Sequence, residues 1–274
     1  MKRIFPTLAV LAISAPALAD DQFSLTTGFD YSTGKYGNTT STNILYVPVT
    51  GQYETDRLTL KLTVPYIRVS GPGGVIPGMG RVMLPMAAMA GTGGTPRFGG
   101  PPGMGGAAPA TTTTTTNSGL GDVVASAGYT VYSADAVLLD VVGKVKFGTA
   151  DADKGLGTGE NDYSAQVDGY YTLKKTTLLA TAGYKIVGAP TGIAVNNVPY
   201  GMLGASQKLS DTSSAGVMLS VAKSAFAAGS NLRDVTVYAS QKVSKSLKLQ
   251  ASLLKGFADG SPDYGGGVMI TGLF

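Results

Sequence analysis

Ionisable and amide side chains recur along the chain at short, even spacings. Lys144 and Lys146 are separated by one residue, and Asp162, Gln166 and Asp168 share a later stretch. Ammonium, carboxylate and carboxamide groups can pair with ions or hydrogen-bond to a polar solute. Which of these interactions the side chains make depends on the secondary-structure elements that position them. The set singled out here has nine ionisable residues and one glutamine, and it is called the ionisable set below. Its members are Lys61, Asp122, Asp140, Lys144, Lys146, Asp162, Gln166, Asp168, Lys185 and Lys248.

The composition does not favour enzymatic catalysis. Many hydrolases use histidine as a general base, and the chain has no histidine. No spacing indicates a serine–lysine or paired-carboxylate mechanism. Cysteine is absent as well, which excludes disulfides and thiolate metal sites. We expect neither an enzyme nor a cofactor.

The acidic segment 151–160 matches a calcium-binding loop only in its first positions. Asp151 and Asp153 have the required spacing, but Gly155 and Asp162 occupy later ligand positions where the pattern needs an oxygen ligand and a glutamate. We interpret the segment as a solvated loop, and no metal site is predicted.

Residues 1–19 have the features of a secretory signal peptide. Two basic residues precede an apolar stretch over 4–13, and a small-residue cleavage motif ends at Ala19. We expect cleavage between Ala19 and Asp20, so that 20–274 form the mature protein.

The composition of the remaining chain indicates a membrane protein without helical spans. Charged residues make up 14% of the sequence, against about 25% in typical soluble domains. No run of about 20 apolar residues follows the signal peptide, and no basic run indicates nucleic-acid binding. An exported chain of this kind can cross a membrane as a closed β-barrel, in which every backbone group is paired.

Alternating apolar and polar residues support the barrel. In "RLTLKLTVPY", 57–66, leucine and valine alternate with threonine and lysine, and "LKLQASLL", 247–254, has the same pattern. A soluble β-sandwich would show this alternation too, but segments of about 10–12 residues suit a tilted bilayer crossing. The predicted strands are 22–32, 43–54, 57–69, 119–132, 136–147, 162–173, 176–187, 198–209, 213–225, 233–243, 247–257 and 264–274.

Loop lengths favour the barrel over the sandwich. Connections after even-numbered strands are short and those after odd-numbered strands are longer, as in barrels with short periplasmic turns and long external loops. We therefore predict an all-β fold, an antiparallel up-and-down transmembrane β-barrel of about 12 strands in the bacterial outer membrane.

With the apolar faces toward lipid, the ionisable set points into the barrel. We expect these side chains to line the lumen, where water solvates their charges. One function consistent with this is a narrow channel for the passive diffusion of small solutes. The alternative is a structural or adhesive barrel with a packed polar interior and no transport activity.

The segment 70–118 is predicted to be a long external loop rich in Gly, Pro, Met and Thr. Six consecutive threonines favour disorder, whereas "VMLPMAAMA", 82–90, is apolar. We expect part of 76–90 to fold into the lumen as a plug, because its apolar side chains would otherwise face water; the alternative is a loop that stays outside. The methionine spacing is too loose to indicate a copper site. The methionines of the candidate plug are Met79, Met83, Met86 and Met89.

The chain ends with "YGGGVMITGLF", 264–274. We expect this strand to pair with the first one, near Phe23, because closure removes the free edges of the sheet. Phe274 is similar to the terminal aromatic that signals assembly in outer-membrane barrels, and it also fits the aromatic girdle at the periplasmic side.

Three segments resemble an outer-membrane family. "VPYIRVSGPG" (64–73), "SGLGDVVASAGYTVY" (118–132) and "VKFGTADADKGLGTGENDYSAQVDGYY" (145–171) are similar to motifs of the "MetA-pathway of phenol degradation" transporters, although Lys146-Phe147-Gly148-Thr149 departs from the family's Lys-x-Pro-Thr-Gly form. The resemblance implies a barrel channel for small organic molecules and supplies no functional residues. The partners expected of such a barrel are outer-membrane lipid and lipopolysaccharide, the barrel-assembly machinery, periplasmic chaperones and a small solute.

Overall fold

Antiparallel β-strands make up most of the described chain. The computed structural model describes residues 21–36, 39–73, 75–76, 114–190, 192–227 and 229–274. These ranges contain no helix of the length and apolarity needed to cross a membrane. The strands are β1 (Gln22–Gly34), β2 (Thr42–Glu54), β3 (Leu58–Gly71), β4 (Thr115–Leu120), β5 (Val123–Ala134), β6 (Val137–Phe147), β7 (Asp162–Leu173), β8 (Thr176–Ile186), β9 (Val198–Lys208), β10 (Ser213–Ala222), β11 (Leu232–Lys242), β12 (Leu247–Gly256) and β13 (Tyr264–Leu273).

The sheet closes on itself. Apart from β4 and β5, which both pair with β3, consecutive strands pair with each other, and β13 pairs with β1 from Ser24↔Leu273 to Thr33↔Tyr264. Residues 66–71 of β3 pair with β4 and residues 58–63 pair with β5, so β4 and β5 share one position in the ring. The predicted twelve-stranded barrel is confirmed, as is the pairing of the last strand with the first.

The predicted strand 119–132 is wrong as a single element, because the chain breaks at Gly121 and Asp122 between β4 and β5. Gly121 lies opposite Pro65, whose carbonyl oxygen accepts a 2.8 Å hydrogen bond from the Gly121 amide. Proline has no N–H to return the bond, so the ladder cannot continue regularly. The Asp122 carboxylate turns inward at the break and is 2.8 Å from the Lys146 ammonium.

Loop lengths differ between the two ends of the barrel. At one end, here called the short-turn end, connections have two to four residues, and at the opposite, long-loop end they have seven or more. Asp135 and Lys174 adopt positive φ values of 44° and 55°, which the tightest hairpin turns require. The predicted segregation is therefore confirmed, although the longest connection spans 72–114 because β3 and β4 extend further than expected.

The outer surface is apolar over the strands. Along β3, Leu60, Leu62 and Val64 are exposed, whereas Pro65 and Ile67 are buried inside. Large exposed apolar side chains recur in the same way on most other strands. A surface of this kind is unfavourable in water and suits the hydrocarbon layer of a bilayer.

Candidate functional site

The ionisable set predicted from the sequence lies inside the barrel. Nine of its ten side chains are buried, and Lys61 is half-buried. All except Lys248 belong to one wall formed by β3 and β5–β8, together with the β4–β5 break. Lys248 lies on β12, six positions around the ring from β6. This wall is called the charged wall below, and its role in conduction stays a prediction.

The upper part of the charged wall holds an ionic cluster. Lys146 and Asp162 are directly opposite each other on β6 and β7, and Asp122 reaches the same place from the β4–β5 break. The Lys146 Nζ atom is 2.8 Å from Asp122 Oδ2 and 3.4 Å from Asp162 Oδ2. It also lies 3.4 Å from the Thr158 hydroxyl. Three residues that are far apart in the sequence thus form one buried charge cluster.

A second network lies lower on the same wall. Lys144 donates a 2.7 Å hydrogen bond to Gln166 Oε1, and Tyr200 donates to the same oxygen at 2.9 Å. Gln166 Nε2 in turn donates to both oxygens of Asp168 at 2.8 and 2.7 Å. Thr181 completes the shell of Asp168 with a 2.6 Å hydrogen bond. These donors stabilise a buried carboxylate.

A second carboxylate lies beside Asp168. Asp140 is directly opposite it on β6 and accepts a 2.7 Å hydrogen bond from Thr130. The sequence analysis did not single out Thr130 or Thr181, since a threonine on a strand carries no distinctive signal. Within the described ranges, no group of three or more acidic side chains is placed to hold a metal ion.

A cavity lies beside the second network, next to Lys144, Asp168 and Asp140. Its volume is about 30 Å³, enough for ordered water and far below the roughly 300–1,000 Å³ of typical organic-ligand pockets. This cavity is therefore too small by itself to hold an organic solute. The lining residues include Thr59, Lys61, Ser126, Asp140, Lys144, Asp168 and Tyr170.

Part of the inner wall formed by β6–β11 is apolar. Met202 and Met218 are buried there and belong to a mid-lumen cluster with two tyrosines. The sequence analysis missed both methionines, because the residues that follow them, Leu203 and Leu219, are apolar as well and leave no local alternation. The mid-lumen cluster consists of Leu138, Tyr170, Leu179, Met202, Met218 and Tyr238.

Two further apolar clusters cover the long-loop end. In the mouth cluster the β8–β9 and β10–β11 loops join through a bridge between Val195 and Phe226. The rim cluster joins the upper parts of β2 and β3 to the β6–β7 loop. The mouth cluster consists of Val187, Val198, Tyr200, Ala222, Ala225, Phe226 and Leu232, and the rim cluster of Tyr36, Ile44, Ile67, Val75, Ala150 and Leu156.

The chain after β3 enters these clusters. Val75 is buried in the rim cluster, and Ile76 packs against the mouth cluster, so the two neighbouring residues connect opposite sides of the barrel. The candidate plug methionines, Met79, Met83, Met86 and Met89, lie outside the described residues, as does the predicted signal peptide. Both predictions stay open.

Phe274 lies at the short-turn end, beside the first strand. Its amide donates a 2.9 Å hydrogen bond to the Phe23 carbonyl oxygen, and the two ring centroids are 6.0 Å apart. The ring is 72% exposed on the outer surface. This position suits a girdle residue, and its role as an assembly signal stays a prediction.

Solved structures of outer-membrane proteins share this architecture. The COG4313 outer membrane channel from Pseudomonas putida F1 has a TM-score of 0.65 and 15% identity over 94% of this chain and 97% of its own. The KdgM porin has a TM-score of 0.52 and 8% identity over 91% of this chain and 98% of its own. The chain has the fold of these outer-membrane β-barrels. At these identities the likeness concerns the fold alone, and no family model or curated protein matches the sequence.

Proposed function

We propose that the protein is a passive outer-membrane channel for small organic solutes, with a path along the charged wall. The observation that carries the proposal is the row of lysine, aspartate and glutamine side chains facing the interior of a closed barrel. Buried ion pairs are often no more stabilising than well-packed apolar residues of the same volume. Their presence therefore supports contact with water and solute rather than a purely structural interior.

The two sides of the lumen support a solute that has both apolar and hydrogen-bonding groups. The mid-lumen cluster offers tyrosine rings and methionine thioethers, which pack well against aromatic molecules. Lys61 and Lys144 offer ammonium donors at the cavity. Small aromatic molecules with a hydroxyl or carboxylate group meet both requirements.

A second candidate function is a structural or adhesive barrel that does not transport. Two observations favour it: the cavity of about 30 Å³, and the apolar clusters that cover the long-loop end. In this alternative the charged wall is a hydrogen-bonded filling, and the external loops carry the function.

Liposome swelling separates the two candidates. We expect purified protein in liposomes to admit small hydroxylated aromatic solutes faster than protein-free liposomes do. A swelling rate equal to that of protein-free liposomes, with the barrel shown to be folded by its band shift on unheated gels, would favour the structural barrel.

Charge reversal at the cavity tests whether the charged wall lines the path. Lys61→Glu should move the reversal potential of a conducting barrel toward cation preference, because lumen charges bias the ions that enter. Lys175→Glu, at an exposed position of the β7–β8 turn, is the matched control and should leave it unchanged. An unaltered potential in Lys61→Glu would place the path elsewhere.

Kinship with the "MetA-pathway of phenol degradation" transporters is part of the proposal. Its support is that Asp122, from the motif 118–132, meets Lys146 and Asp162, both from the motif 145–171, in the ionic cluster. The apolar outer surface contacts lipid. Lipopolysaccharide, periplasmic chaperones and the barrel-assembly machinery, recognising Phe274, are the further partners that we propose.

A further inference from the structure

The β6–β7 loop, residues 148–161, is folded inward at the long-loop end. Leu156 is fully buried in the rim cluster, in contact with the inner faces of β2 and β3. The Asn117 side chain on β4 donates a 2.8 Å hydrogen bond to the Lys154 carbonyl oxygen. The loop thus leaves β6, crosses toward the wall of β2–β4, and returns to β7.

The ionic cluster holds both ends of this loop. Asp122 Oδ1 accepts a 2.9 Å hydrogen bond from the Ala150 amide, near the start of the loop. Its other oxygen binds Lys146, which also contacts the Thr158 hydroxyl near the end of the loop. The Asp122 carboxylate and the Lys146 ammonium group therefore hold the two ends of the loop against the charged wall.

The fit between the loop and Asp122 is close. A Cβ atom at Gly157 would lie 2.6 Å from the Ala150 Cβ and 3.0 Å from both Asp122 carboxylate oxygens. Only glycine leaves room for this approach, since real side chains do not pack at such distances. The carboxylate is enclosed by the loop, so the loop and the ionic cluster form one structural unit.

We propose that residues 148–161 are a lid over the charged wall, that Asp122 and Lys146 are positioning residues that hold it closed, and that solute passes when the lid is released. The proposal rests on the channel function proposed above. Release requires separating the Ala150 amide and Thr158 hydroxyl from the ionic cluster and withdrawing Leu156 from the rim cluster. Both steps are local and leave the barrel strands paired.

Covalent fastening of the lid tests the requirement for movement. The chain has no cysteine, so Asn117→Cys with Lys154→Cys can be joined selectively by a short reducible bis-thiol reagent. We expect solute flux into liposomes to fall about tenfold on joining and to recover on reduction. Ser70→Cys with Thr116→Cys is the control, because these hydroxyls are 2.8 Å apart across β3 and β4 and the link does not touch the lid. Unchanged flux in the joined 117–154 variant would overturn the proposal.

Thiol labelling tests the fastening without measuring transport. In Leu156→Cys, a water-soluble maleimide should react slowly, because position 156 is fully buried. Adding Asp122→Asn should raise the labelling rate roughly tenfold, equivalent to about 1.4 kcal/mol less stabilisation of the closed lid. Adding Asp140→Asn, a lumen carboxylate bonded to Thr130, should not raise it. Equal rates in the Asp122 and Asp140 backgrounds would show that the ionic cluster does not hold the lid, whether or not the barrel conducts.

Discussion

At the scale of single residues, burial separates the ion pairs on which the stability of the barrel depends from those that contribute little to it. The Lys146–Asp122 pair has side chains 8% and 2% exposed, whereas the Lys154–Asp151 pair is 56% and 40% exposed. The hydrogen bonds from Lys154 lower the pKa of Asp151, yet water solvates both groups. Exposed pairs contribute little to stability, while removal of one partner from a buried pair is costly.

Lys146→Met should destabilise the barrel by about 3–5 kcal/mol, because Asp122 would remain buried without the ammonium group that pairs with it at 2.8 Å. The chain has no tryptophan, so the urea dependence of the folded band on unheated gels is a suitable measurement. Lys154→Met is the matched control and should leave the midpoint unchanged. Equal unfolding midpoints for the two variants would show that the ionic cluster does not stabilise the barrel.

At the scale of the elements, tyrosine rings lie across glycines on neighbouring strands. Gly183 is directly opposite Tyr200 on β8 and β9, and a Cβ atom at Gly183 would overlap the tyrosine ring. The same ring is held by the hydrogen bond from its hydroxyl to Gln166. Glycine therefore lets the ring lie flat on the inner wall, where it joins the mouth cluster to the lower network.

Gly183→Ala should cost about 1–3 kcal/mol, because the ring must move away from its place in an already filled interior. Gly143→Ala is the matched control, since nothing lies within 4 Å of a Cβ added there. Unfolding midpoints in urea compare the two alanine variants. A larger loss in Gly143→Ala than in Gly183→Ala would contradict this account of the strand contact.

At the scale of the whole molecule, the barrel depends on joining its two terminal strands. The β1–β13 ladder closes the ring, and Phe274 extends it by one hydrogen bond and one ring contact with Phe23. Closure pairs the outer edges of β1 and β13 with each other, and unpaired backbone groups are strongly unfavourable in a bilayer.

Deletion of Phe274 should lower the amount of folded protein in the membrane, because the terminal aromatic and its contact with Phe23 are lost. Phe274→Tyr keeps an aromatic ring at the same place and should assemble normally. The ratio of folded to unfolded bands in isolated outer membranes measures this. Full assembly of the deletion variant would show that the last residue is dispensable.

The longest connection can also be tested on the whole barrel. Replacing 78–112 by a short Gly-Ser linker should preserve folding, because Val75 and Ile76 keep their contacts and loop-closure entropy varies slowly with length. If the replaced segment includes a plug, single-channel conductance should rise relative to the wild type. A folded variant that conducts no better would remove the plug hypothesis and leave the β6–β7 lid as the candidate constriction.

Local patterns in the sequence were enough to predict the barrel, its strand number and the lengths of its loops. Alternation is a property of adjacent residues, so "RLTLKLTVPY" shows on its own that Lys61 and its apolar neighbours face opposite ways. For the same reason, nearly all of the ionisable set could be assigned to the interior, where the structure buries it.

The partners of those interior groups depend on register and on irregularities that no local pattern contains. The break at Gly121 follows from the proline across from it on β3, and it brings Asp122 to Lys146 and to the Ala150 amide. Met202 and Met218 of the mid-lumen cluster show no local alternation, because Leu203 and Leu219 next to them are apolar as well. Alternation shows whether a side chain points into or out of the barrel. Contacts between residues far apart in sequence depend instead on strand register, which is fixed only when the ring closes.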